Sequence, residues 1–329
     1  MTNKTIVTKL IAVFVDSQFT LKQAYTANND SNETSVRARI YENLGTTFER
    51  IERGVYAVSD DAAKIFLLEG DGRDLSFIDD NSIDLILTDH PYSFDKKSLK
   101  GGNRNFADYE GFQYTMQDFV EKYRVLKPGH FLVEFLPEFN AENFDYVTKV
   151  IKFATQVGFQ IYTEVDWKKG NFVSNTGRKA KNKEQIWMFS KGKAVSMRAD
   201  KKKDLAEPGK RHYMSGTSGM LPTAFDVQPP GRLERIHQSE KPVELISEIL
   251  AYVLPKSRFD MPVVLDQFAG SGSTGISAAL SGYLAIMIEK SHEYCEKIIN
   301  RFESQNIEIF SVLKSKVVNE FYDDEIYLF

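Results

Sequence analysis

From residue 64 onward the hydrophobic positions fall into short continuous runs separated by longer stretches of helical period. Residues 65–68, 83–88, 131–135, 160–165, 186–189, 263–265 and 284–288 are apolar or β-rich runs, most of them bounded by Gly, Asp or Pro. Helix-sized stretches lie between and after them at 116–125, 143–157, 242–254 and 293–302. Strands alternating with helices predict an α/β fold with a doubly wound, mostly parallel sheet, and place any ligand at the carboxyl ends of the strands. Residues 191–236 break the alternation. They are rich in Lys, Gly, Ser and Pro with little periodicity, which predicts a long functional loop or small insert. Ahead of all this, 20–27 is apolar-periodic and 28–32 is a polar break. A second helix starts on Asn32 or Thr34 and runs through Val36, Ile40 and Leu44, with Gly45 as its stop. Residues 48–58 form two alternating runs about a Gly-containing turn, a hairpin signature.

Helix, helix, hairpin is the order of a winged helix. Residues 21–58 loosely resemble the winged-helix modules appended to some bacterial and phage DNA-modifying enzymes. In that arrangement Arg37 and Arg39 project from the recognition helix, and Arg50 and Arg53 from the wing. Basic and acidic residues nearly cancel here, so a helical extension packed on the core is the alternative.

Composition narrows the classes. The 329 residues are 42% hydrophobic and 27% charged, enough to bury a core, which excludes disorder as the main description. No apolar run approaches the ~18 residues of a membrane span, and no cleavage-site pattern follows the early run 10–15. A single cysteine, Cys295, allows no internal disulfide, and no Cys/His cluster has zinc spacing, so neither a secreted scaffold nor a structural metal is expected. These features predict a cytoplasmic protein without membrane contact. The net charge of −4 is uneven: 167–211 holds 14 basic and 4 acidic residues, a local +10 that leaves −14 on the rest. A segment of that charge can meet phosphates on a globally acidic protein, or be a solvated lysine-rich loop.

Two motifs carry chemistry. After the run 263–265 comes Asp266-Gln267-Phe268-Ala269-Gly270-Ser271-Gly272-Ser273-Thr274-Gly275 and then a helix. Glycines here let a ligand approach bare backbone. No Gly-Lys-Ser/Thr ending follows, which excludes a phosphate-cradling Walker loop. Glu289 ends the next strand about twenty residues on, where a carboxylate can accept from both ribose hydroxyls, so the loop suits a nucleoside. The second motif, Thr88-Asp89-His90-Pro91-Tyr92, closes the run 83–87. A carboxylate beside Pro and an aromatic ring suits an exocyclic amine, whose lone pair is delocalised into its ring. Acceptors from Asp89 and the His90 carbonyl favour a tetrahedral nitrogen, and Tyr92 can stack on the base. An ordinary turn has the same residues.

Together these motifs resemble the S-adenosylmethionine-dependent DNA amino-methyltransferases, in the permuted order called the β class, in which the catalytic motif precedes the glycine-rich cofactor loop. Residues 68–71, 124–129, 167–168 with 185–192, and His237-Gln238-Ser239-Glu240-Lys241-Pro242 agree with it, so the resemblance covers about 64–302. It implies a circularly permuted Rossmann-like methyltransferase sheet. Its catalytic segment is Asp89, His90, Pro91 and Tyr92, and its cofactor residues are Asp266, Phe268, Gly270, Gly272 and Glu289. Ser239 and Lys241 fall near the methionine end of the cofactor, and Asp71 near its adenine or amine. His90 replaces a usual first proline, Gln267 a common proline and Ser239 a common threonine. An Asp-headed motif accompanies N6-adenine more often than N4-cytosine methylation. C5-cytosine chemistry, which needs a cysteine nucleophile beside a proline, is rejected for Cys295.

The expectation is therefore a site-specific methyltransferase acting on adenine in duplex DNA by base flipping, without metal. Its expected units are a winged-helix-like domain at 1–60, a catalytic half at 61–190, a target-recognition insert at 191–236 and a cofactor-binding half at 237–329. Lys168, Lys169, Arg178, Arg198, Lys202, Arg211 and Arg232 are the candidates for DNA contact, with Trp167, Trp187, Phe172 and Tyr213 nearby and Arg235 for base edges. Homodimer formation and a cognate restriction enzyme are further expectations. The rival readings are an N4-cytosine enzyme, a non-catalytic DNA-binding regulator, and a methyltransferase of RNA or of a protein glutamine.

Overall fold

The computed structural model describes residues 17–29, 31–44, 47–59, 65–92, 111–170, 182–195, 221–231, 233–237, 239–254 and 262–313, with isolated positions at 6, 10, 13 and 14. Arg178, Arg198, Lys202, Arg211, Arg232, Phe172, Tyr213 and Gly45 lie outside them.

The chain opens with β1 (Phe19–Thr20), α1 (Leu21–Ala27), α2 (Glu33–Glu42), β2 (Phe48–Glu52) and β3 (Val55–Val58). Thr20 starts α1 through a capping box with Gln23, and the Asn32 side chain accepts from Ser35 N at 2.7 Å to start α2. The second helix stops at Glu42, before Leu44. Asn43 turns its own amide back onto the Arg39 carbonyl at 2.7 Å and leaves the helical conformation. The strands form an antiparallel sheet in the order β1-β3-β2, with Gly54 at φ +86° in the hairpin turn.

The remaining strands build one nine-stranded sheet. They are β4 (Ile65–Glu69), β5 (Ile83–Thr88), β6 (Leu126–Pro137), β7 (Phe159–Lys168), β8 (Lys183–Lys191), β9 (Ala224–Asp226), β10 (Val263–Asp266), β11 (Leu284–Glu289) and β12 (Phe310–Val312). Their order is β12-β4-β11-β10-β5-β6-β8-β7-β9. β12 to β6 run parallel, β8 is antiparallel to both neighbours, and β9 pairs parallel with β7. The helices are α3 (Met116–Val125), α4 (Phe144–Val157), α5 (Val243–Val253), α6 (Ser273–Ser281) and α7 (His292–Ser304).

Strand alternation sends side chains to two cores. Ile86, Leu265 and Ile286 join Phe119 of α3 and Val150 of α4 on one face. Leu85, Val264 and Ala285 join Leu245 of α5, Ile276 of α6 and Ile298 of α7 on the other. The central strands are buried on both faces and so read as unbroken apolar runs. β9 falls inside the stretch expected as an insert, and Trp167 Nε1 donates to the Val227 carbonyl at 2.9 Å, tying that stretch to the sheet. β4, on the catalytic side of the expected division, pairs with β11 and β12 instead, beside the 237–329 part.

The topology fixes where a ligand can sit. From β5 the chain moves through α3 to β6 on one side; from β10 it moves through α6 to β11 on the other. β5 and β10 are neighbours, with Leu85 opposite Val264. The winding reverses between them, and a crevice opens at their carboxyl ends.

Candidate active site

Asp89 leaves the end of β5 and Gln267 the end of β10, so both motifs emerge at that crevice. They open into a shared cavity of about 520 Å³ whose lining includes Asp71, Asp89, His90, Pro91, Tyr92, Ser239, Phe268, Gly270 and Glu289. A recess of about 50 Å³ lined by Lys241, Asp266 and Thr274 shares Asp89, Phe268 and Gly270 with it. The two loops, nearly two hundred residues apart in the chain, face one space.

The glycine-rich turn is held by its carboxylates. Asp266 accepts from Phe268 N at 3.1 Å and from the Thr274 hydroxyl at 2.6 Å, and burial pushes its pKa up to about 7. It shapes the loop and lines only the recess. Glu289 accepts from Gly270 N at 2.9 Å and Ser291 N at 2.8 Å and stands at the cavity wall, its pKa raised by burial. Gly270 and Gly272 have φ of +53° and +77°, and a Cβ on Gly272 would press on Ile298 and Phe302 at 3.0 Å. Gln267 donates to the Gly72 carbonyl at 2.6 Å, stitching the loop after β4 to the cofactor-type turn; a Cβ on Gly72 would lie 1.8 Å from the Gln267 carbonyl oxygen.

The catalytic-type segment carries a paired carboxylate. Lys241 Nζ donates to Asp89 Oδ2 and lies 3.2 Å from Glu184, which also pairs with Lys169 at 2.5 Å. Burial raises the Asp89 pKa to about 6, opposed by Lys241 and reinforced by Glu184. Asp89 Oδ1 is buried and has no hydrogen-bond partner among the described residues. Lys241, expected at a cofactor carboxylate, is thus committed to Asp89 and Glu184, with its ammonium over the Phe135 ring at 5.1 Å. Tyr92 forms a bridge with Phe112, whose N–H reaches the Pro91 carbonyl at 2.9 Å. The His90 side chain is buried, without solvent exposure, and turns onto Glu134 and Tyr146.

A family model described as a DNA methylase matches residues 83–301, well over half of the chain. The chain belongs to this family. The methylase is similar to the Type II methyltransferase M.HpaI of Haemophilus parainfluenzae, 26% identical over 238 residues, or 70% of this chain and 71% of that one. It is also similar to the putative methylase YubD of Escherichia coli (strain K12), 28% identical over 215 residues, or 65% and 79%. Two solved structures share its fold. TTHA0409 of Thermus thermophilus, a putative DNA modification methylase complexed with S-adenosyl-L-methionine, is 20% identical with a TM-score of 0.50, covering 75% of this chain and 99% of that one. The PvuII DNA methyltransferase (cytosine-N4-specific) is 18% identical, also at 0.50, covering 75% and 95%.

Several expected DNA contacts of the methylase are differently placed. Trp167 is 2% exposed, a core residue held by Val227. Lys169 is drawn onto Glu184 and the Trp167 ring, and Arg39 onto Glu42 of its own helix. Arg235 reaches the Pro230 carbonyl at 2.6 Å. Arg37 and Lys168 remain exposed. Asp71 lines the cavity while accepting from Arg73 N at 3.0 Å. Sequence reasoning missed Arg73, Phe112, Glu184 and Tyr294. Phe112 packs against Phe268 with centroids 5.4 Å apart and carries the Arg73 guanidinium 5.0 Å from its ring. No residue pattern announces that wall, because its parts come from three separate loops. Cys295 is buried in α7 with its thiol pushed up to about 12, an inert packing residue.

Proposed function

We propose that this methylase transfers a methyl group from S-adenosylmethionine to the exocyclic N6 of adenine in duplex DNA, with the target base flipped into the cavity. The observation that carries the reading is that Asp89, whose Oδ1 is buried without a hydrogen-bond partner among the described residues, lines the same cavity as the Gly270 turn and Glu289. The cofactor, when bound, supplies an electrophilic methyl on a sulfonium. The cavity fits it: Glu289 accepts ribose hydroxyls, Phe268 and Phe112 offer apolar ring surfaces to an adenine, and the bare backbone at Gly270 admits close approach. Asp71 and Ser239 are assigned to its polar groups.

Asp89 Oδ1 and the His90 carbonyl accept the two N–H groups of the amine. This withdraws the nitrogen lone pair from the base ring and aims it at the methyl group. The proton released as the N–C bond forms passes to Asp89. Lys241 occupies Oδ2 and so presents Oδ1 to the substrate. Tyr92 stacks on the flipped base, recovering part of the few kcal/mol that extrusion costs. No covalent enzyme intermediate is needed.

In the same reading, 1–60 is a winged-helix-like DNA contact. Its support is the β1-β3-β2 sheet with two helices between β1 and β2, and the exposed Arg37. Residues 191–236 are the target-recognition insert. The permuted chain order is part of the same reading, supported by the Asp89 segment preceding the Gly270 turn in the sequence. Adenine rather than cytosine rests on aspartate at the head of the motif. Single-molecule sequencing of DNA from cells expressing the chain, beside an Asp89→Ala control, tests all of this. Asp89-dependent N6-methyladenine at one short sequence is expected. N4-methylcytosine would replace the base assignment, and no Asp89-dependent mark would overturn the reading.

A further inference from the structure

Behind the Asp89 segment lies a buried polar cluster that the transfer chemistry leaves unused. His90 Nδ1 is 2.9 Å from Glu134 Oε1, and its Nε2 meets the Tyr146 hydroxyl. Glu134 Oε1 also accepts from the Tyr114 hydroxyl at 2.9 Å, and Oε2 from Lys122 Nζ at 2.8 Å. Lys122 donates in addition to the Tyr114 oxygen at 2.7 Å and lies 4.0 Å from that ring's centroid. The side chains of His90, Glu134 and Lys122 have no solvent exposure.

The protons can be placed. Lys122 and His90 hold Glu134 ionised against the upward push of burial, whereas burial lowers the His90 pKa and keeps the imidazole neutral. With Glu134 an acceptor only, His90 donates from Nδ1 and accepts the Tyr146 proton at Nε2. The cluster then holds one positive and one negative charge, and each member has partners.

Its members come from five places: the catalytic segment (His90), β6 (Glu134), α3 (Lys122), the stretch before α3 (Tyr114) and α4 (Tyr146). Glu134 is in register with Thr88, directly before Asp89. The His90 ring lies 4.0 Å from that of Tyr114, which neighbours Phe112 and Phe268 of the cavity wall. We propose that His90 is a positioning residue: locked from below by Glu134 and Tyr146, it sets the backbone that carries Asp89 and Tyr92 and fixes it relative to the Phe112 wall. This rests on the proposed reading of the cavity. It predicts losses in turnover without losses in binding, and no proton exchange by His90.

The test uses the full chain and three variants. Tyr146→Phe removes one hydroxyl and keeps the ring, so folding is preserved. Expected is a fall in kcat of about three- to tenfold, with Kd for S-adenosylmethionine and DNA within about twofold and the pH-rate profile unchanged in shape. His90→Leu loses both bonds and should lower kcat by about a hundredfold, the scale of a small misplacement of reacting groups. His90→Asn, which can restore the donor to Glu134, should recover much of that. Nitrogen NMR should report His90 as a neutral Nδ1–H imidazole across the pH range in which the enzyme turns over. Wild-type turnover in Tyr146→Phe and His90→Leu, a pH limb lost with His90, or titration of His90 in that range would each overturn the positioning role. They would leave the methyl-transfer reading intact. A wild-type protein that binds cofactor and DNA but transfers nothing would overturn both.

Discussion

Asp89 is a carboxylate between two opposed neighbours, and their signs make its role measurable. Burial raises its pKa to about 6; Lys241 pulls that value down and Glu184 pushes it up. The acceptor works only when ionised, so kcat/KM should rise with pH along an acid limb centred near about 6. Replacing Lys241 by Met removes an opposite charge and should move that limb upward by about 1–3 pH units. Glu184→Gln removes a like charge and should move it downward. Titration of S-adenosylmethionine into Lys241→Met distinguishes this from a lysine serving the cofactor carboxylate. An unchanged Kd is expected here, while removal of a direct ion pair to the cofactor would weaken binding by tenfold or more, about 1.4 kcal/mol.

The elements that flank the crevice are joined by backbone contact, and Gly72 is where that contact is tightest. Alanine there would put Cβ 1.8 Å from a main-chain oxygen of the turn after β10, an atom that cannot rotate away. Gly72→Ala should therefore destabilise the protein by about 1–3 kcal/mol in a thermal melt and weaken cofactor binding as well. Gly282→Ala, with open space around it but φ of +75°, should lower only stability, by about 1–2 kcal/mol. The same elements show what a sequence can convey. β5 and α3 have the bounds their patterns predict, because each is a run of apolar residues at a single period with a clear stop. β9 and β12 were not legible: three residues hold too little period, and both form by adding to an existing edge. The Asp89, Gly270 and Glu289 placements were legible because strand-end chemistry follows topology. Lys241 was not, since a lysine states its charge but not which carboxylate it will meet. Glu134 and Lys122 did leave a trace. An acid inside the apolar run 131–135 and a lysine on the same face of α3 as Phe119 and Val125 are charges at core positions, and such charges need each other.

At the scale of the whole molecule, the question is how an acidic chain holds a polyanion. Ile40, Phe48 and Tyr56 of the N-terminal unit belong to one contiguous apolar cluster with Phe66, Ile83 and Ile86 of the large sheet. The unit is thus packed on the methylase body, and any DNA it grips is held at a set position relative to the crevice. If Arg37 and Arg53 contact phosphate, the Arg37→Glu and Arg53→Glu double variant should lower DNA affinity. It should also flatten the slope of log affinity against log salt by about 0.9 for each phosphate no longer neutralised. Turnover at saturating DNA should stay unchanged, because neither residue lies in the cavity lining. A unit that only braces the core would leave that slope untouched. Fluorescence titrations across a salt series therefore separate a second grip on DNA from a structural extension, and the outcome also assigns the burden of the −14 remainder. With a second grip, charge is drawn to two footholds; without it, the basic stretch 167–211 must supply the attraction alone.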